Sequence, residues 1–476
     1  MLSKSIFLGL LVIVFAYLYT KWKECLAENQ EESIILFWNS SIREPTDQFS
    51  HIAVGINCNL DLIVSGVALL SSLEKGRGQP LDSVALESID DLANTFTYYF
   101  SKGSAAERTF KSKEIYAAII ETAEKLEEKE HYIGGNAALM AVNIAELFPN
   151  KKIQLIGPIG PVLKKLLPHN VLVPDDSLID KDEVHLIMEY GLHEAWQGLE
   201  SPVANRFITS YDESNSRLTM LNKFFKDLGP FSPNLVLVSG LHLLETQSLT
   251  YMSDKLEEFK TGLQNIPQSI PVHLELASMA DEGAVKLIID EVISQVSSLG
   301  LNEQELTFSS YVANGPHSSY YHSRNGQPEI YKISDMVLWL LKTYGYSSKN
   351  PRSRLTRVHF HSLTYHIIGS LPDAWLNSES AVGAGTRMAG RQACKVDRLS
   401  PPDIELRIPQ SFQLFSGSDA VTFNESKPVV SWKREGFQFV FSPVLVCINP
   451  LKTVGLGDAI SATGLMYSQF DPSYKQ

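Results

Sequence analysis

A chain of 476 residues, 44% of them hydrophobic, can bury a large core, so composition argues against disorder and length allows two or three domains. The formal net charge of −13, without a basic run longer than a few residues, argues against a nucleic-acid partner, because duplex binding needs clustered Lys and Arg. Four cysteines (Cys25, Cys58, Cys394 and Cys447) are too few for a disulfide scaffold and show no metal-ligand spacing; an oxidising lumen permits one bridge, with Cys394 to Cys447 the first pairing to test.

Lys4 precedes an uncharged, largely apolar run from Ser5 to Thr20, which Lys21 and Lys23 close. The run is marginally short for a membrane-crossing helix of roughly 20 residues and long for a signal-peptide core, so residues 1–25 read as a signal peptide or a signal anchor. Cys25-Leu26-Ala27 offers a small-x-small cleavage pattern, although the lysines before it are unfavourable. Either outcome sends the chain into the secretory pathway, to the endoplasmic reticulum (anchored or lumenal) or beyond it, and the anchor would bring membrane association. Two sequons, Asn39-Ser40-Ser41 and Asn424-Glu425-Ser426, agree with that address.

Residues 26–50 read as a polar stem with an apolar patch at Ile34 to Trp38, and the folded body, 51–476, begins near His51. Residues of about 62–130 are charged and helical in pattern, with Glu121 to Glu130 a solvated face. Strand-length apolar runs follow at Lys152 to Ile156, Val184 to Tyr190, Leu235 to Ser239 and Val272 to Leu276. Between the last two, Leu249, Met252, Leu256 and Phe259 recur at helical spacing within Gln247 to Leu263. This βαβ rhythm predicts an α/β fold with a mostly parallel sheet covered by helices. Farther on, Ala381-Val382-Gly383-Ala384-Gly385-Thr386-Arg387 reads as a small-residue loop that moves or closely approaches a ligand.

Three segments run from β-like apolar residues into small or polar ones: Val54 to Asp61, Ile133 to Ala138, and Val272 to Ser278. A parallel sheet gathers such strand ends at the edge where open α/β folds bind ligands. Near the C-terminus, Val454-Gly455-Leu456-Gly457-Asp458-Ala459 opens a predicted helix with two glycines and an acid. Backbone N–H groups and the positive helix end there form an anion cradle, and Asp458 stands beside it as a proton acceptor. Read alone, the motif is equally a glycine turn capped by an aspartate. Arg357, His359, His361 and His366 form the densest histidine group in the chain, with 359 and 361 on one strand face; no third ligand is evident, so a zinc site is not expected.

GLGDAISATG, the His273-Leu274-Glu275 strand and Asn302-Glu303-Gln304-Glu305, taken in this order, make the chain resemble the eukaryotic ADP-dependent glucokinases of the ribokinase-like superfamily, from about Asn57 to Gly464. The resemblance implies a ribokinase-like, mostly parallel central sheet flanked by helices, with a smaller α/β lid from segments near 62–130 and 184–225. It implies a monomer that phosphorylates glucose with ADP, releases AMP and uses one Mg²⁺ per subunit, as in the first step of glycolysis. Asp458 would then be the catalytic base and a member of the metal shell, Gly455, Leu456 and Gly457 the anion hole, and Glu275 and Glu305 the metal carboxylates. His273 reads as a packed strand histidine, Glu303 as a solvated acid and Asn302 as a cap or water holder. Asn57, Asp61, Gly135 and Asn136 would bind the sugar. Glu107 would be a lid acid that favours glucose over a sugar phosphate, unless it is only a surface helix acid. Arg206 would meet the transferred phosphate, unless it is an ordinary surface arginine. Nothing in spacing separates ADP from ATP, although no GxxxxGK[ST] P-loop is present. An ATP-dependent PfkB-type sugar or nucleoside kinase, and a lumenal sugar- or nucleotide-binding protein without activity, stay as alternatives; the presence of Asp458, Glu275 and Glu305 weighs against the second.

Overall fold

The computed structural model of the protein describes residues 14–19, 30–323, 327–451 and 455–475. Of the N-terminal apolar run only residues 14–19 are described, and they are helical. The rest of the signal segment, the cleavage pattern at Cys25 and Val454 lie outside the described residues. Among the described residues no helix is long and apolar enough to cross a membrane.

The chain divides into two compact units, one from His51 to Gly262 and the other from the residues through Ser50 together with those from Leu263 onward. In the first unit, strand His51–Ile56 pairs in parallel with Leu235–Ser239 on one side and Lys152–Ile156 on the other, and Val171–Leu172 continues the parallel edge. Helices Asn136–Leu147 and Leu221–Phe231 lie against these strands. The same unit carries a mixed six-stranded sheet in the order Ala85–Leu86, Ala106–Phe110, Asn205–Ser210, Val184–Tyr190, Asn59–Ser65 and Lys129–Gly134.

Period-two alternation splits this second sheet into an apolar and a polar face. Leu62, Val64, Leu186, Met188 and Phe207 point into a core with Leu92, Phe96 and Phe100 of helix Ile89–Lys102 and Tyr116 and Ile119 of helix Lys113–Ala123. Each such large side chain contributes about 1.5–3 kcal/mol by burial. The opposite face carries Asp61, Glu107, His185 and Arg206. The helical pattern expected across 62–130 is therefore interrupted by two strands, because short segments such as Ala106–Phe110 gain their order by pairing with Asn205–Ser210, a partner remote in sequence.

The second unit contains Val272–Glu275, Ser298–Leu301 and Arg357–His361 in parallel, followed by antiparallel Tyr365–Ser370, Phe437–Pro443 and Val430–Arg434. Along Arg357–His361, Val358 and Phe360 face one way, while Arg357, His359 and His361 face the other. Val358 registers with Gly369, where an added Cβ would meet Val337 and Leu341, so helix Ile330–Tyr344 covers the apolar face. On the other face His359 packs at Gly464 and His361 at Gly457 of helix Leu456–Met466, and His366 packs at Gly385 of helix Ser378–Cys394.

Two expectations change here. The small-residue segment 381–387 is no loop but the buried middle of helix Ser378–Cys394, where the missing side chains let the helix lie close to its neighbours. The stem is in part a docked helix: residues 30–41 are helical and bury Glu31, Ile34 and Trp38, an i, i+3, i+7 face, and Glu31 accepts a hydrogen bond from Leu406 N at 2.8 Å. The cysteine pairing named from the sequence is present: Cys394 is bridged to Cys447, while Cys58 is buried and free.

Candidate functional site

Glu275 ends the strand Val272–Glu275 and is almost fully buried. Its register partner is Gly300, where a Cβ would stand 1.9 Å from Glu275 Oε2, so the carboxylate lies across the neighbouring strand and reaches the next one. There His361 Nε2 lies 2.8 Å from Glu275 Oε1, and from its own strand His273 Nε2 lies 3.0 Å from Oε2, each within hydrogen-bond distance. Burial works to raise this carboxyl, but the two imidazole hydrogen bonds overcome it and hold it at about 2. The same carboxylate, with Glu305 and Asp458 acting through space, raises His361 against the opposing effect of burial.

Asp458 lies buried in the first turn of helix Leu456–Met466. The helix starts at Gly455, which takes a left-handed φ of 68° and contributes no side-chain cap. At Gly457 a Cβ would come within 2.9 Å of His361 Cε1, so the glycine is what lets the imidazole sit under the helix start. Glu305 belongs to a capping box at the start of helix Glu303–Val312. It accepts from Asn302 N at 2.7 Å and Asn302 Nδ2 at 2.8 Å, and Asn302 Oδ1 accepts from Glu305 N at 3.1 Å. Asn302 is thus a cap. Burial pushes Glu305 up to about 7 in spite of these bonds. Glu303 is half-buried rather than solvated, with the Tyr320 hydroxyl 3.5 Å from it.

The sugar candidates belong to the other unit. Asn57 accepts from Ala137 N at 3.1 Å and donates to Asn136 Oδ1 at 3.1 Å, so it holds the first turn of helix Asn136–Leu147. Gly135 caps that helix with φ 83°, and a Cβ there would be 2.7 Å from Asn57 O. Asp61 Oδ1 accepts from Asn59 Nδ2 at 2.7 Å. Burial pushes its carboxyl up to about 6, moderated by charge on His185 and by the Asn59 bond. His185, the register partner of Asp61, pairs with Asp212 Oδ2 at 3.0 Å. Burial opposes protonation of this imidazole, yet the Asp212 carboxylate lifts it to about 10. Glu183 anchors the following turn by accepting from the backbone N–H groups of Glu213 at 2.8 Å, Ser214, and Asn215 at 2.9 Å.

Glu107 is an exposed strand residue, not a helix acid; it registers with Ile208. Arg206 is half-buried, registers with Glu189 and lowers Asp61 through space. The structure thus brings Asp61, Glu107, Arg206 and His185 onto one sheet face, and Glu275, Glu305 and Asp458 around the His361 imidazole. His185 comes to Asp61 only through strand register and Asp212 only through His185, so neither is legible in the sequence, whereas Asn59 is two residues from Asp61 on the same strand. His361 was seen in a histidine group but not as a partner of Glu275. Its signal was present, since the 359/361 alternation aims both rings at one face.

Among the described residues no group of three or more His, Cys, Asp or Glu side chains is disposed to hold a metal ion. Glu275 and Glu305 are the carboxylates that could meet Mg²⁺, an ion that keeps several waters, and both already accept protein hydrogen bonds.

The model of the ADP-specific phosphofructokinase/glucokinase conserved region matches residues 50–467. ADP-dependent glucokinase from Bos taurus is 45% identical over 439 residues, 91% of this chain and 88% of that protein. A probable ADP-dependent glucokinase from Caenorhabditis elegans is 40% identical over 474 residues, covering 97% and 94%. Among solved structures, a last common ancestor of ADP-dependent phosphofructokinases from Methanosarcinales superposes with a TM-score of 0.66 at 19% identity, covering 94% of this chain and 98% of that one, a likeness of fold.

Proposed function

The chain belongs to the ADP-specific phosphofructokinase/glucokinase family, and from that premise we propose that it transfers the terminal phosphate of ADP to O6 of D-glucose, releasing AMP and glucose 6-phosphate. The observation that carries the reading is Asp458 in the first turn of a glycine-started helix, with His361 packed beneath it. Phosphoryl transfer asks the protein for positioning and charge neutralisation. Asp458 accepts the O6 proton as the new bond forms, and the N–H groups of Gly455, Leu456 and Gly457 receive the spreading negative charge. Arg206 meets the transferred phosphate. Asn57, Asp61, Glu107, Gly135 and Asn136 bind and orient the hexose.

Glu275, Glu305 and Asp458 would hold one Mg²⁺ per subunit, which when bound neutralises phosphate charge. Glucose over fructose 6-phosphate is favoured by the carboxylate of Glu107, which repels a substrate phosphate, and by the 45% identity to the bovine glucokinase. Delivery to the endoplasmic reticulum belongs to the same proposal, supported by the run from Ser5 to Thr20, by exposed Asn39 and Asn424 in their sequons, and by the Cys394–Cys447 bridge. The testing experiment is a coupled assay of glucose 6-phosphate formation with ADP or ATP and with each divalent metal in turn. Activity with ADP and Mg²⁺ is expected; activity with ATP alone would move the chain to an ATP-dependent kinase.

A further inference from the structure

Glu275 is the end of a longer hydrogen-bonded row. Register aligns His273, Ser298 and Arg357 across three parallel strands, and all three are buried. Arg357 Nη1 donates to Ser298 Oγ at 2.8 Å, Ser298 Oγ lies 2.9 Å from His273 Nδ1, and His273 Nε2 lies 3.0 Å from Glu275 Oε2. From the far side His361 Nε2 reaches Glu275 Oε1.

The chemistry of these groups gives the row a direction. A guanidinium only donates, so Ser298 Oγ accepts from Arg357 and has one proton left to give. If that proton goes to His273 Nδ1, then Nδ1 is the acceptor and Nε2 carries the hydrogen that Glu275 receives. The reverse order would make Ser298 Oγ accept twice. It would also turn a bare Nε2 lone pair toward a carboxylate oxygen, or else make His273 a cation buried in the same row as Arg357. Both are costly in a buried site.

We propose that Arg357 and Ser298 are positioning residues: their hydrogen-bond relay fixes His273 as the Nε2–H tautomer, which in turn fixes the plane of the Glu275 carboxylate. This rests on the reading of Glu275 as a metal-shell carboxylate. It assigns work to two residues buried within the sheet. The sheet itself supplies the geometry, since one residue from each of three neighbouring strands builds the row.

The test uses the full chain with ¹⁵N-labelled histidine. Wild-type protein should show His273, assigned with His273→Asn, with an unprotonated Nδ1 and a protonated Nε2 at neutral pH. Ser298→Ala should populate the other tautomer or the cation, and Ser298→Thr, which keeps the hydroxyl, should restore the wild-type pattern. In parallel, Ser298→Ala should lower kcat or raise the Mg²⁺ needed for half activity by about 10–100-fold, the usual cost of losing a residue behind a metal ligand. The KM for glucose should stay within about twofold of wild type, because the sugar residues lie in the other unit. An Nδ1–H or cationic His273 in wild-type protein overturns the proposal without any variant, and so does an unchanged tautomer in Ser298→Ala. A tautomer change in a protein that does not phosphorylate glucose would sustain the relay and remove the assigned reaction instead.

Discussion

Glu275 and Asp61 are both buried carboxylates at strand residues facing a candidate site, yet one is held at about 2 and the other is pushed up to about 6. Burial raises both. What differs is the kind of donor: two imidazoles hold Glu275, whereas Asp61 takes one neutral amide, from Asn59, and feels His185 only through space. Burial by itself therefore does not tell what a carboxylate does. Imidazole donors make a fixed anion, whereas neutral amides do not: Glu305 accepts two hydrogen bonds from Asn302 and is still pushed up to about 7. A carboxylate left with few donors favours a ligand that brings hydroxyls.

Breaking the charge on the Glu275 side should cost turnover, and breaking it on the Asp61 side should cost affinity. The largest effect is expected for Asp458→Asn, which should lower turnover at least about a hundredfold with glucose binding nearly intact. Steady-state kinetics with calorimetric glucose titration checks it, and more than about a tenth of wild-type turnover would remove Asp458 as the base. Glu275→Gln comes next, with about 10–100-fold lower activity or a correspondingly higher Mg²⁺ requirement. An unchanged metal dependence would end the metal-shell assignment.

Asp61→Asn should separate stability from function. An acid whose folded pKa is raised from 3.8 to about 6 costs stability that grows from about pH 4 to pH 6 and stays constant above. The Asn variant should therefore be more stable by about 1–3 kcal/mol at pH 8, by much less near pH 4, and should bind glucose poorly. Urea unfolding at the two pH values measures this, and equal gains at both would show that the Asp61 charge is not the cause. The smallest effect is expected at Glu107: because the side chain is exposed, Glu107→Ala should weaken glucose recognition by about 1.5 kcal/mol, roughly tenfold, and raise the ratio of fructose 6-phosphate to glucose use. Kinetics with both sugars in which neither value moves would return Glu107 to an ordinary surface acid.

The sequence made legible what rests on local order: the βαβ rhythm, the buried positions Met252, Leu256 and Phe259, and the Gly455–Asp458 helix start. Tertiary pairing was not legible. Segment 381–387 looked like a loop because glycine disfavours helix locally, and the close approach that rewards those glycines comes from residues such as His366 and Trp38. His185 beside Asp61 and His361 on Glu275 depend on strand register, which one sequence does not carry. Glu31, Ile34 and Trp38 show a helix face, but their acidic surroundings masked it as a stem.

The most direct measurement is a ³¹P NMR time course of the wild-type protein with glucose, ADP and Mg²⁺. Glucose 6-phosphate and AMP should grow in step as the β-phosphate of ADP disappears, with ATP in place of ADP giving no comparable transfer and Asp458→Asn giving almost none. Transfer from ATP but not from ADP, or loss of the ADP β-phosphate as inorganic phosphate with no sugar phosphate formed, would contradict the account.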